Sequence, residues 1–223
     1  MDEVRIIEVK QSVFASNDKE AAALRSELKS KGIYLLNVMS SPGSGKTTTL
    51  TKTINLLKNK YKIAVMEADI DSDVDAKTVA SLTGVEAIQI HTGGMCHLDA
   101  GMTKKSIEGL SDKEYDLIIL ENVGNLVCPA EFDTGAAKSI TILSVPEGDD
   151  KPLKYPLMYQ VCNLVLINKI DTMSVFDFDI EKAKENIALR NPEAKVISIS
   201  AKTGEGIDEF AKWIEDEIKN WRE

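Results

Sequence analysis

The strongest chemical signal in the chain is Ser40-Ser41-Pro42-Gly43-Ser44-Gly45-Lys46-Thr47, set between an aliphatic run and a helical pattern. That context gives a glycine-rich loop its meaning as an anion cradle. Gly43 and Gly45 let backbone N–H groups converge on phosphate, and the helix that follows adds the positive end of its dipole. Ser44 and Thr48 complete the phosphate-contacting set. Lys46 is placed to reach the β- and γ-phosphates, and the Thr47 hydroxyl to ligate Mg²⁺. The loop opens on Ser40, where glycine is more usual.

A second signal lies far downstream. Asn168-Lys169-Ile170-Asp171 ends a buried aliphatic run, and Ser200-Ala201-Lys202 follows the next one. The Asp171 carboxylate can accept two hydrogen bonds, from the N1–H and the exocyclic amine of guanine. Adenine has no donor at N1, so discrimination on the order of 10⁴ is expected. With the phosphate loop upstream, these are the base-reading motifs that P-loop GTPases share. The expected nucleotide is GTP, bound by Gly43, Ser44, Gly45, Lys46, Thr47, Thr48, Gly124, Asn168, Lys169, Asp171, Ser200, Ala201 and Lys202.

The γ-phosphate sensor is expected between them. Leu117-Ile118-Ile119-Leu120 runs into Glu121-Asn122-Val123-Gly124, an acidic-x-x-Gly element with glutamate where aspartate is more usual. Upstream, residues 67–75 carry five acids in nine positions. Asp69 and Asp75 are the two candidates there for Mg²⁺ or the attacking water, with Thr47 and Glu121 as the other magnesium ligands. Lys46, Thr47, Asp69 and Glu121 form the expected catalytic set. The arginines are Arg5, Arg25, Arg190 and Arg222, so no residue from 26 to 189 can serve as an internal arginine finger. Residue 125 is Asn, not a water-orienting glutamine. Both features predict slow intrinsic hydrolysis.

A third constellation is of another kind. Cys96 and His97 are adjacent, and Cys128 lies four residues past Gly124. Thiolate and imidazole suit Ni²⁺ or Zn²⁺. No Cys-x-x-Cys is present, and buried cysteines are commonly inert core, the reading that fits Cys162 best.

These residues need a scaffold that brings distant segments to one edge. Short aliphatic runs at 33–39, 63–66, 87–90, 117–120, 140–145, 164–167 and 196–199 alternate with helical patterns at 47–59, 74–82, 98–110, 179–189 and 207–221. Buried strands alternating with helices predict one α/β domain, 1–223, with a mostly parallel sheet of about seven strands and helices on both faces. Residues 1–31 form an N-terminal extension; 16–31 read as an amphipathic helix with Ala22, Ala23 and Leu28 apolar and Ser16 or Asn17 as its cap. The chain has 223 residues, 43% hydrophobic and 28% charged, and 27 basic against 36 acidic residues give a net charge of −9. Nucleic-acid binding is disfavoured by that balance. No run reaches the roughly 18 apolar residues of a membrane span, residues 1–10 lack a signal-peptide core, and three cysteines argue against a disulfide framework. A cytoplasmic protein is expected.

Taken together, 40–47, Cys96-His97-Leu98-Asp99-Ala100 and the string from Glu121 to Ala130 resemble HypB, a family of SIMIBI-class P-loop GTPases that assist nickel insertion into [NiFe]-hydrogenase. The similarity covers roughly 33–205. It implies a G-domain site for Ni²⁺, which Zn²⁺ can also occupy, at Cys96, His97 and Cys128. It also implies a GTP-linked homodimer, a HypA-type metallochaperone partner and a hydrogenase large-subunit precursor as recipient. The first Cys or His is His91, so the family's N-terminal cysteine cluster and histidine-rich stretch are not expected. Three donors fall short of a closed four-donor site, which favours two chains sharing one. The urease-type relative UreG carries Cys-Pro-His where this chain has Cys128-Pro129-Ala130. A nickel-binding protein with incidental GTPase activity is the alternative of another class.

Overall fold

The computed structural model describes residues 9–69, 74–111 and 114–223; the expectations placed on residues 1–8 and on Asp71 and Asp73 of the acidic run fall outside them. The seven aliphatic runs become strands: β1 (Tyr34–Ser40), β2 (Ile63–Asp69), β3 (Glu86–His91), β4 (Leu117–Glu121), β5 (Lys138–Ser144), β6 (Leu164–Asn168) and β7 (Lys195–Ser198). They pair in the order β3-β2-β4-β1-β5-β6-β7. Every pairing is parallel, so the "mostly parallel" expectation resolves to wholly parallel. All seven carboxyl ends therefore lie along one edge, where open α/β sheets bind ligands.

The helices are α1 (Val9–Ser30), α2 (Lys46–Leu57), α3 (Val74–Thr83), α4 (Ala100–Glu108), α5 (Cys128–Glu131), α6 (Lys151–Lys154), α7 (Pro156–Gln160), α8 (Ile180–Ala188) and α9 (Ile207–Arg222). Alternating strand residues face opposite sides. Leu36, Val38, Val65 and Ile119 pack under Leu50 and Ile54 of α2 and Phe210 and Ile214 of α9. On the other face, Leu35, Met66 and Ile118 pack with Leu24 and Leu28 of α1 and with Leu98 ahead of α4. Met39, Leu143 and Val165 meet Met158 of α7 and Ile187 of α8.

Three local expectations are corrected. Helix α1 is already formed at Val9, well before 16, because no breaker interrupts the preceding turns; Ser16 and Asn17 are inside it and cap nothing of their own. Its core face is Ala21, Leu24 and Leu28, whereas Ala22 and Ala23 are exposed. The short helices α5, α6 and α7 were not expected; each carries Pro in its first turn, where the missing N–H costs nothing.

Candidate functional site

The phosphate loop leaves β1 and enters α2 through Gly45, whose φ of 96° is a left-handed conformation that L side chains adopt at a cost. A Cβ there would sit 2.5 Å from Asn168 Nδ2. The loop's serine at position 40 has a definite role. Its Oγ accepts from Lys46 Nζ at 3.0 Å and from Ser44 Oγ at 2.6 Å, and donates to the Ser41 carbonyl at 2.8 Å. Ser41 Oγ in turn donates to Glu147, whose other carboxylate oxygen accepts from Ser144 N at 2.8 Å and Ser144 Oγ at 2.7 Å. The ends of β1 and β5 are thereby tied together.

The residues expected to read the base adjoin this loop. Asn168 Nδ2 donates to Ser44 O at 2.8 Å, and its Oδ1 accepts from Ala201 N at 3.0 Å. Lys169, at φ 65°, reaches back to Gly43 O at 2.6 Å. Ser200 Oγ donates to Asp171 Oδ1 at 2.6 Å, and Lys202 Nζ lies 3.9 Å from Oδ2. Asn168, Lys169, Asp171 and Lys202 line a hollow of about 220 Å³ that also touches Gly45 and Thr48. The two sequence motifs form one surface although Asn168 lies 124 residues from Ser44.

Beside it a cleft of about 640 Å³ runs from Gly43 and Lys46 past Asp69 and Asp75 to Gly124. The parallel register sets Glu67 of β2 directly beside Glu121 of β4. Both are buried. Burial, then the neighbouring Glu121 charge, hold the Glu67 carboxyl well above the ordinary range. Burial also raises Glu121, against the opposing pull of its hydrogen bond from Glu67 and of Lys46. Two carboxyls so close and so buried disfavour the doubly ionised state. Asp75 completes a three-carboxylate group whose ligand atoms lie within 4.8 Å of one another. Thr47 Oγ1 is 3.5 Å and Lys46 Nζ 3.9 Å from Glu121 Oε1. Glu67 Oε2 and Glu121 Oε2 are buried without a hydrogen-bond partner. Unpaired carboxylate oxygens next to a threonine hydroxyl fit a hard, oxygen-seeking divalent cation such as Mg²⁺. Of the two aspartates left open by sequence, Asp75 joins this group; Asp69 lines the same cleft but is not part of it. Glu67 was missed as a candidate because only strand register sets it against Glu121.

Cys96, His97 and Cys128 lie at the far end of the 121–131 segment. Gly93 and Gly94 turn the chain after β3 with φ of 64° and 93°, presenting Cys96 and His97 ahead of α4. Cys128 opens α5. A thiol–thiol hydrogen bond to Cys128, with burial, holds Cys96 above the ordinary thiol range. Cys96 Sγ is 4.0 Å from His97 Nδ1. Burial depresses His97, favouring the neutral imidazole that can ligate a metal, and its ring stacks on Phe132 at 3.9 Å. Among the described residues the carboxylate group is the one tight set of three donors; the sulfur and nitrogen donors meet as two pairs. Cys162 is wholly buried in the core, as expected, and burial raises its thiol.

Comparison with known proteins is in keeping with this geometry. Residues 34–198 match the family model described as CobW/HypB/UreG, nucleotide-binding domain. The chain is 46% identical to hydrogenase maturation factor HypB of Azotobacter chroococcum mcd 1, covering 96% of this chain and 70% of that one. It is 40% identical to hydrogenase/urease maturation factor HypB of Helicobacter pylori (strain J99), covering 93% and 86%. The crystal structure of HypB from Helicobacter pylori in complex with nickel superposes with a TM-score of 0.85 at 40% identity, over 93% of this chain and 98% of that one. Fold, phosphate loop and similarity over nearly the whole length agree: the chain belongs to the CobW/HypB/UreG family of nucleotide-binding proteins, and within it to HypB.

Proposed function

We propose that this protein hydrolyses GTP and uses the cycle to hold and release nickel for a [NiFe]-hydrogenase precursor. The observation that carries the reading is the continuity of one short segment. Glu121 touches the phosphate-loop threonine, Gly124 packs on Pro42 of the phosphate loop, and Cys128, four residues on, neighbours Cys96 closely enough to raise its thiol. A γ-phosphate that displaces Gly124 would move a sulfur donor, so nucleotide state and metal affinity are linked.

In the nucleotide cleft, Asp171 accepts from guanine while Ser200 fixes its orientation. Lys46 exchanges Ser40 Oγ for phosphate oxygen, and the loop amides orient the β-phosphate. Thr47, with carboxylates drawn from Glu67, Asp75 and Glu121, would hold Mg²⁺, which would supply charge neutralisation at the phosphates. Glu121 and Glu67 would hold the ion as carboxylates, so its binding would oppose the burial that keeps them protonated. Asp69, at the cleft wall, is left to order the attacking water.

Cys96, His97 and Cys128 supply three soft donors for Ni²⁺ or Zn²⁺. Two chains apposed through this edge would close the site, and the expected state with GTP is a homodimer. The nickel-bound Helicobacter pylori relative supports the metal, and the maturation-factor relatives support the hydrogenase precursor as recipient and a HypA-type metallochaperone as co-worker. The test is Ni²⁺ titration with GDP and with a GTP analogue, following dimer mass. Nickel affinity should change with nucleotide, Cys128→Ser should weaken nickel and remove that change, and Cys162→Ser should do neither. Nickel binding indifferent to nucleotide would leave a metal-binding protein with incidental GTPase activity.

A further inference from the structure

Helix α1 touches both segments that carry the metal donors, and does so through a buried polar side chain. Asn17, 7% exposed, accepts from Ala100 N at 2.9 Å through Oδ1 and donates to Asp133 O at 2.9 Å through Nδ2. Ala100 is the first residue of α4, three positions past His97; Asp133 lies five past Cys128. A single amide therefore spans the gap between the Cys96-His97 segment and the Cys128 segment. Two contacts reinforce the bridge. Phe132 lies between Phe14 of α1 and the His97 ring, with centroids 4.9 Å and 3.9 Å away. Arg25 of α1 pairs with Asp133 at 2.5 Å and donates to Ala136 O at 2.8 Å.

Helix α4 already has a cap of its own, Asp99, which accepts from Met102 N. Asn17 adds an acceptor for Ala100 N, which that cap leaves open. Its second bond ends on a carbonyl of the other donor segment. A residue that merely docked α1 would need only one of these. A buried amide satisfied on both sides by separate segments fixes their spacing, because breaking either bond leaves a buried polar group unpaired.

We infer that Asn17 is a positioning residue for the metal site, holding Cys96 and His97 against Cys128 from outside the ligand set, so that α1 controls whether the donors are together. The inference rests on the metal reading proposed above. Side chains that orient ligands in this way typically cost 10–100-fold in metal affinity when removed.

The experiment uses the full chain in its GDP-bound form with Ni²⁺ as the probe, reading affinity and the thiolate–nickel charge-transfer absorption. Asn17→Ala should bind Ni²⁺ about 10–100-fold more weakly with an altered band, while GDP affinity stays within about twofold. Asn17→Asp keeps the acceptor for Ala100 N but cannot donate to Asp133 O, and should fall between. Leu28→Ala, which loosens the same helix 11 residues away, should lower the melting temperature while leaving the nickel band unchanged. Wild-type nickel affinity in Asn17→Ala and Asn17→Asp overturns the inference; so does loss of nickel that merely tracks melting temperature across all three variants. If instead Cys128→Ser binds nickel as the wild type does, the metal reading itself fails, a result distinct from either.

Discussion

Replacing Gly45 by alanine tests the junction on which the proposed guanine recognition depends. The new Cβ would lie 2.5 Å from Asn168 Nδ2, about 1 Å inside the van der Waals optimum of roughly 3.5 Å. Asn168 cannot simply withdraw: its Nδ2 holds Ser44 O at 2.8 Å and its Oδ1 holds Ala201 N at 3.0 Å. Shifting it breaks the bond to the phosphate loop and leaves a buried amide group unpaired, at about 1–3 kcal/mol. The left-handed φ of 96° adds about 1–2 kcal/mol for a residue with a side chain. A combined cost near 3 kcal/mol in the binding-competent loop corresponds to about 100-fold weaker GDP. The assay is competition against a fluorescent guanine nucleotide, with melting to confirm folding, run as a double-mutant cycle with Asn168→Ala. In that background the clash is gone and Gly45→Ala should cost only the backbone share, so the pair should couple by about 1–2 kcal/mol. Gly45→Ala within threefold of wild type, or strict additivity with Asn168→Ala, would refute the reasoning.

Asp171→Asn should weaken GTP by about 10²–10⁴-fold through two lost charge-assisted hydrogen bonds and shift preference towards xanthosine triphosphate; equal competition by ATP and GTP against the wild type would contradict it. Lys46→Ala should abolish hydrolysis without unfolding the chain, and the wild type alone should turn over slowly, near 10⁻⁴–10⁻² s⁻¹, as measured by phosphate release. Glu67→Gln should make nucleotide binding less dependent on Mg²⁺ and should stabilise the nucleotide-free protein. The sign follows from the raised Glu67 pKa: above its usual 4.5 the unfolded chain releases a proton that the folded state keeps. The stability of this group therefore falls as pH rises, and Gln should flatten the slope of melting temperature against pH.

Much of the candidate nucleotide site was legible because its parts are local in sequence. A glycine-rich loop works only between a strand and a helix, and 40–47 sits between an aliphatic run and a 3.6-residue pattern; Asn168 to Asp171 and Ser200 to Lys202 likewise follow buried runs. The strand-helix alternation set the fold class, because parallel strands need crossovers and crossovers of this length are helices. Cys162 read as core from its neighbours, and it is core.

What sequence could not carry is whatever depends on register or on contacts between distant segments. Glu67 and Asp69 both face the cleft, and nothing local separates them; only the pairing of β2 with β4 sets Glu67 against Glu121 and turns two ordinary acids into a buried pair with raised pKa values. Asn17 looked like a helix cap because caps are where asparagine is commonly found. Inside α1 it would be a poor choice, and the reason for it lies 83 residues away at Ala100 and 116 residues away at Asp133. Ser40 looked like a departure from the loop pattern, yet its hydroxyl holds the very lysine the loop exists to present. Residue types and spacing determine which chemistry is possible, since they act through short-range geometry. Which groups share a proton, a hydrogen bond or a ligand is decided by tertiary packing, because those interactions act over a few ångströms between residues the chain keeps far apart.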